Sequence, residues 1–291
     1  MELLNYQNKV CVVTGAASGM GKATAAMLAD LGAKVYALDW AEVQGIHVEK
    51  YIHTDLSQKE SIDRAFEEIP AHIDSFFGIA GVSGAKTDFM TTTKIDFISN
   101  KYICEDILSN RMARGGSIAF ITSTAGNGWE KDGNKKIYLP AVQAKSWDGA
   151  VEALNQTILP HLPGALAYPF SKLAMNYYTV QLQAFYAPKG IRVNSVLPGS
   201  TETGLKGEFA AMAGGEESLL SHTGHAGRLA TAEEMAAPIV FLNSDMASYI
   251  SGERLVVDYG CTAEEVAGLR AGMPMDLSAV LEQIQKKNPA Q

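Results

Sequence analysis

Short apolar runs alternate along the chain with stretches of helical period. Lys9–Thr14 (KVCVVT) predicts a strand that ends in a glycine-rich turn. Lys22–Leu31 reads as a helix with Gly32 as its stop, and Lys34–Leu38 (KVYAL) as the next strand. Ser61–Ile69 has helical spacing, while Ser75–Ala80 (SFFGIA) and Ser117–Thr122 (SIAFIT) are short and apolar enough for buried strands. Ser171–Tyr186 predicts a long helix ended by Pro188 and Gly190, and Arg192–Leu197 and Leu255–Val257 predict the last strands. Nearly continuous apolar strands alternating with helices predict a parallel sheet covered on both faces, the doubly wound (Rossmann) α/β class. No repeat, low-complexity tract or linker divides the chain, so residues 1–291 read as a single domain. Two segments look added. Residues 124–167 are rich in Lys, Asn, Gly and Pro; in 264–291, Met275, Leu277, Val280, Leu281 and Ile284 fall on one face of an amphipathic helix. That helix is expected to pack on the body or on a partner subunit.

Composition narrows the function. Lys plus Arg number 24 against 32 Asp plus Glu, a net charge of −8, which argues against a general nucleic-acid binder because the phosphate backbone would repel it. With 47% hydrophobic and 19% charged residues the chain lies far from disordered compositions. No basic stretch precedes an apolar core at the N-terminus, and no apolar run is long enough to span a bilayer, so no membrane association is expected. Cys11, Cys104 and Cys261 have no short spacing; they suit a reducing, cytoplasmic setting and make neither a zinc site nor a disulfide framework. Cys11, inside an apolar run, reads as a small core residue. His222 and His225 lack a third ligand, so no metal site is expected.

The turn Thr14-Gly15-Ala16-Ala17-Ser18-Gly19-Met20-Gly21 joins the first strand to the first helix. Glycines there permit a tight turn, close approach of backbone to a pyrophosphate and close helix–sheet packing. The helix N-terminus offers free N–H groups and the positive dipole end to an anion. Gly15, Ser18, Gly19, Met20 and Gly21 are therefore dinucleotide-binding candidates. Asp39 ends the second strand, where a carboxylate can accept hydrogen bonds from ribose hydroxyls and would repel a 2′-phosphate. Trp40 and Ala41 follow it instead of a base, which favours NAD over NADP; Lys22 is the nearby basic residue that could soften the preference.

From about residue 8 to residue 262 the chain resembles the short-chain dehydrogenase/reductase family. The TGxxxGxG turn is the first match; Tyr168-Pro-Phe-Ser-Lys172 is its YxxxK motif, and Ser123 in ITSTAG resembles its catalytic serine. Asn100 in FISNKY resembles the asparagine of the helix behind the site, and Asp55-Leu56 the pair that holds the adenine. The stretch from Arg192 through Pro198, Gly199, Thr201 and Thr203 resembles the strand and PG turn that hold the nicotinamide. The NNAG turn reads Gly78-Ile79-Ala80-Gly81 here, without asparagines, and Gly81 joins the cofactor candidates. Asp39 and Asp55 are only 16 residues apart, too few for a full helix between strands, and Ser123 and Tyr168 are 45 apart. Both departures resemble the hydroxysteroid dehydrogenase/carbonyl reductase subgroup.

The resemblance implies a secondary alcohol or ketone as small-molecule substrate, with Tyr168 as the acid or base. Lys172 lies one helical turn on, on the same face. An ammonium about 4 Å from the phenol at an effective dielectric of about 20 contributes roughly 4 kcal/mol. That is enough to bring a group titrating near about 10 toward neutral pH. Ser123 would orient the substrate oxygen, Lys172, like Tyr168, would also hold the nicotinamide ribose, and Asn100 would anchor a water near Lys172. The subgroup points to a hydroxysteroid or bile-acid hydroxyl, with an aromatic or terpenoid alcohol as the alternative. A non-catalytic dinucleotide-sensing protein is the alternative of another class, against which the intact Ser-Tyr-Lys-Asn set speaks. The family also implies a homo-oligomer, a dimer or tetramer, and a mobile lid at about 204–226. Phe209, Met212, Leu219 and Leu220 would give the lid an apolar inner face. Trp129, Tyr138 and Trp147 in the insertion would wall a substrate site or pack on a partner.

Overall fold

Along β1 (Val10–Thr14) the side chains divide between two cores: Val12 joins one layer of buried residues, Cys11 and Val13 the other. That division is why the run is apolar throughout instead of alternating. The same holds for the neighbours β2 (Lys34–Asp39), β4 (Ser75–Gly78), β5 (Ser117–Ile121) and β6 (Arg192–Pro198), while β3 (Lys50–His53) and β7 (Arg254–Val257) form the edges. This computed structural model describes residues 3–272 and 274–287. The seven strands make one parallel sheet in the order β3-β2-β1-β4-β5-β6-β7. The doubly wound fold expected from the apolar pattern is the one observed. Its strand order reverses between β1 and β4, and a crevice opens there at the carboxyl ends of the strands.

The helices follow in chain order: α1 (Gly19–Asp30), α2 (Lys59–Glu67), α3 (Phe89–Thr93), α4 (Ser99–Tyr102), α5 (Asp132–Gln143), α6 (Trp147–Asn155) and α7 (Gly164–Tyr186). After them come α8 (Lys206–Ala213), α9 (Glu216–Ser221), α10 (Ala232–Asn243), α11 (Cys261–Val266) and α12 (Leu277–Lys287). Helices α1 and α10 cover the face bearing Cys11 and Val13; α2, α4 and α7 cover the face bearing Val12. Between β2 and β3 no helix forms, as the short spacing implied. Two π-helical turns, Lys94–Ile98 and Ile103–Ile107, flank α4, so residues 89–107 run as one irregular helix.

Two elements differ from expectation. Helix α7 begins at Gly164, seven residues before the predicted start, and carries Pro169 inside it. Pro169 is the sixth residue of the helix, so it removes the one backbone bond that an N–H there would make to Ala165 O. The segment 124–167 is largely helical, because α5 and α6 bury Tyr138, Ala141, Val142, Trp147, Ala150 and Leu154 against the body. Trp129 and Tyr138 pack on Tyr177 of α7, and Trp147 lies edge-on to Tyr102 of α4. The amphipathic C-terminal helix is observed as α12. It packs on α5, with Leu277 fully buried and Met275, Leu281 and Ile284 against the same core.

Candidate active site

Four turns meet at the carboxyl end of the sheet. In the first, Gly15 adopts φ +73°, and a Cβ there would stand 2.8 Å from the Cα of Ala80. Only glycine allows this approach, which locks the phosphate turn against the turn after β4. Thr14 Oγ1 adds to the contact by accepting from the N–H groups of Ile79 (3.0 Å) and Ala80 (3.2 Å). Helix α1 opens beyond with no acidic residue in its first turn and no side-chain cap from Ser18, so its positive end stays open to an anion. Met20 and Gly21 lie in that first turn.

Asp39 is held at both oxygens. Oδ2 accepts from Ala17 N–H and Oδ1 from Ala41 N–H, each at 2.9 Å. The carboxylate is thereby fixed beside the phosphate turn. Lys22 lies along the loop after β2, its Nζ 3.6 Å from where a Cβ on Gly45 would sit. Asp55 Oδ1 accepts from both the N–H and the hydroxyl of Ser57, and Leu56 is buried. On the opposite rim Thr203 lies 3.4 Å from the Cβ position of Gly19, so the chain after β6 closes onto the phosphate turn. Pro198 accepts from the Thr124 hydroxyl, Gly199 donates to Val257, and Thr201 pairs with Ala230. This cradle of glycine turn, open helix end and anchored carboxylate fits a dinucleotide.

The turn after β5 and helix α7 bring the chemistry. Ser123 follows β5, in extended conformation, with its Oγ accepting from Ala125 N–H at 3.0 Å. The hydroxyl proton is left to donate elsewhere. The turn then lies directly on α7: a Cβ on Gly126 would meet the carbonyl oxygen of Lys172 at 2.5 Å. Any side chain there would push Ser123 away from Lys172. On α7, the Lys172 ammonium stands over the ring of Tyr168, 5.2 Å from its centroid. Lys172 is buried, and Tyr168 is half-buried with its ring 5.0 Å from that of Phe209 on α8.

The fourth turn contains Gly81. From its Cβ position, Lys172 Nζ is 3.6 Å away and Asp96 Oδ1 3.4 Å. Asp96, from the first π-helical turn, is a residue that the motif reading passed over. Its signal was a lone carboxylate in the apolar stretch KIDFI. Burial pushes its carboxyl up to about 6, while the Lys172 charge and the Val82 N–H pull it down. Asn100 lies one turn on, its Oδ1 2.3 Å from a Cβ position on Gly78 and its Nδ2 donating to the Asp96 carbonyl at 3.4 Å. The structure thus brings Ser123, Tyr168 and Lys172 to one crevice with the phosphate turn, and sets Asn100 behind Gly78, where it supports the turn bearing Asp96.

Of the four apolar residues expected on a lid, Phe209 and Leu219 are half-buried, whereas Met212 and Leu220 are exposed. Glu208, next to Phe209, binds Lys86 Nζ at 2.7 Å and accepts from the Ser83 hydroxyl, tying α8 to the loop after β4. His222 bonds Ser218 O and His225 pairs with Glu264, so the two imidazoles have separate partners.

Comparison with known proteins places this geometry. Residues 9–133 match the family model described as short chain dehydrogenase, and residues 153–262 the model described as enoyl-(acyl carrier protein) reductase. A coniferyl-alcohol dehydrogenase from Pseudomonas sp. is 31% identical over 264 residues, covering 90% of this chain and 100% of that protein. A cis-4-hydroxycyclohexanecarboxylate dehydrogenase from Sinomonas cyclohexanicum is 30% identical, covering 89% and 98%. Among solved structures, a 3-alpha-hydroxysteroid dehydrogenase from Pseudomonas sp. B-0831, complexed with NADH, superposes with a TM-score of 0.72 at 24% identity, covering 91% and 100%. That likeness is one of fold.

Proposed function

Because this chain belongs to the short-chain dehydrogenase family, we propose that it is an NAD-dependent oxidoreductase interconverting a secondary alcohol and a ketone. The observation that carries the reading is the convergence of Ser123, Tyr168 and Lys172 on the crevice beside the phosphate turn. In oxidation Tyr168 takes the proton from the alcohol oxygen, and in reduction it returns it. The free hydroxyl proton of Ser123 orients that oxygen. The Lys172 ammonium stands over the phenol ring, 5.2 Å from its centroid. Gly15, Gly19, Met20, Gly21 and Asp39 would hold NAD, which would supply the hydride acceptor. Tyr168 and Lys172 would hold the nicotinamide ribose, Pro198, Gly199, Thr201 and Thr203 would line the nicotinamide side, and Asp55 and Leu56 the adenine side. Asp39 selects against a 2′-phosphate, since its fixed charge would face the phosphate's own.

The substrate we propose carries its hydroxyl on a ring and is bulky and apolar, a hydroxysteroid or bile acid. The half-buried Phe209 against Tyr168 supports an apolar wall over the reacting oxygen. An aryl alcohol is the second reading, and the 31% identity to a coniferyl-alcohol dehydrogenase favours it. The test is NADH formation by the purified protein across steroid, bile-acid, cycloalkyl, terpene and aryl alcohols, with NAD and NADP in parallel. Turnover with ring alcohols and higher kcat/KM for NAD is the expected result. NAD binding without turnover on any alcohol would instead identify a dinucleotide sensor.

A further inference from the structure

We propose that Asp96 is a positioning residue for the Lys172 ammonium and that its charge enters the pH dependence of the reaction; this rests on the reading of the site given above. Asp96 is 1% exposed. Its Oδ1 accepts from Val82 N–H at 2.8 Å, and its Oδ2 is buried with no hydrogen-bond partner among the described residues. A buried carboxylate is costly unless something compensates its charge. The compensating cation here is Lys172, which shares with Asp96 the space beside Gly81, 3.6 Å and 3.4 Å from the same Cβ position.

The other charges nearby are engaged elsewhere. Lys101, on the following turn, pairs with Glu105, and Asp88, at the start of α3, caps its own helix through Thr91. Glu208 of α8 reaches Ser83, next to the Val82 donor, but pairs with Lys86. From α7 the groups facing Asp96 are Lys172 and, beyond it, Tyr168. The backbone is shaped for this placement. Asp96 sits in a π-helical turn, a widened form of helix frequent at functional sites, and the Asn100 amide binds the Asp96 carbonyl.

The two charges are opposite in sign and share one place beside Gly81. An ionised Asp96 offsets the positive field of Lys172 at the reacting oxygens, and protonation of Asp96 restores it. The pH response of the site therefore depends on Asp96 as well as on Lys172.

The experiment is a pH profile of kcat/KM for NAD-dependent alcohol oxidation, wild type against Asp96→Asn. The variant keeps an oxygen for Val82 and loses the charge. Its acidic limb is expected to move to lower pH by about one pH unit. A superimposable limb, or one moved upward, overturns the proposal. A second measurement needs neither turnover nor that variant: ¹³C carboxyl NMR of aspartate-labelled wild-type protein, compared with Lys172→Met. One carboxyl should titrate near about 6 in the wild type and at higher pH when the cation is removed. A titration indifferent to Lys172 overturns the proposal. Absence of alcohol turnover in the wild type would defeat the functional reading, and the NMR comparison would still decide the Asp96–Lys172 coupling.

Discussion

Asp39 anchors two backbone N–H groups, one in the phosphate turn and one in its own loop. Removing it both loosens the turn and deletes the acceptor proposed for ribose. Asp39→Ala should weaken NAD binding about tenfold or more, since hydrogen bonds to a charged group contribute roughly 1.5–3 kcal/mol. It should also narrow the preference over NADP, as fluorescence titration with both cofactors would show; unchanged affinities would contradict the assigned role. Asp96 makes a different prediction, about stability. Its carboxyl rises from 3.8 unfolded to about 6 folded, so between those pH values the native state holds more protons than the unfolded one. Stability therefore falls as pH rises through this window, by about 3 kcal/mol from this group. The cost is absent below about pH 4 and complete above about pH 6. In denaturant melts, Asp96→Asn should gain about 3 kcal/mol relative to wild type on going from pH 4 to pH 7. A constant difference across that range would show that Asp96 does not titrate as described.

At the scale of elements, Asn134 joins the insertion to the C-terminal segment. Its Nδ2 donates to Gly128 O and Met275 O, both at 2.9 Å, and its Oδ1 accepts from Leu277 N–H at 2.8 Å. Asn134→Ala leaves buried groups unpaired and should cost about 2–4 kcal/mol. Calorimetry should show Tm lowered by roughly 3–7 °C; a change within 1 °C would mean the two segments do not depend on this side chain. Helix α8 is tied down by Glu208, whose carboxyl Lys86 and Ser83 hold below the usual range. Glu208→Gln should raise the alcohol KM severalfold and leave NAD affinity unchanged; an unaltered KM would remove the tie from the account. Six of the strands were legible in the sequence because each run is short, apolar and bounded by turns; β3 (KYIH), an edge strand with one buried residue, carries too little apolar pattern to be read. The phosphate turn and YxxxK were legible because their residues are local. Helices α5 and α6 were less so: their buried residues keep helical spacing, but Lys, Asn, Gly and Pro between them mask it. The start of α7 was hidden by Pro169, a residue that usually ends a helix and that this one carries in its second turn. Asp96 escaped because its partner Lys172 is 76 residues away, and only the fold brings both to Gly81.

For the whole molecule, the strand reversal between β1 and β4 creates the crevice, and the glycine contacts at Gly15 and Gly126 bring its walls together. Most of the cofactor cradle and the proton-transfer group therefore lie on different turns, sharing Tyr168 and Lys172 only at the proposed nicotinamide ribose. A change at the phenol should stop chemistry and cost binding little. The measurement that tests this most directly is NADH formation by Tyr168→Phe on the best alcohol of the panel, with NAD binding followed by fluorescence on the same sample. Turnover should fall by about 10²–10⁴-fold, the usual contribution of a positioned acid–base group, with NAD affinity lowered no more than about tenfold, the loss of one hydrogen bond. Turnover within a few-fold of wild type would contradict the assignment of Tyr168 as the group that moves the proton.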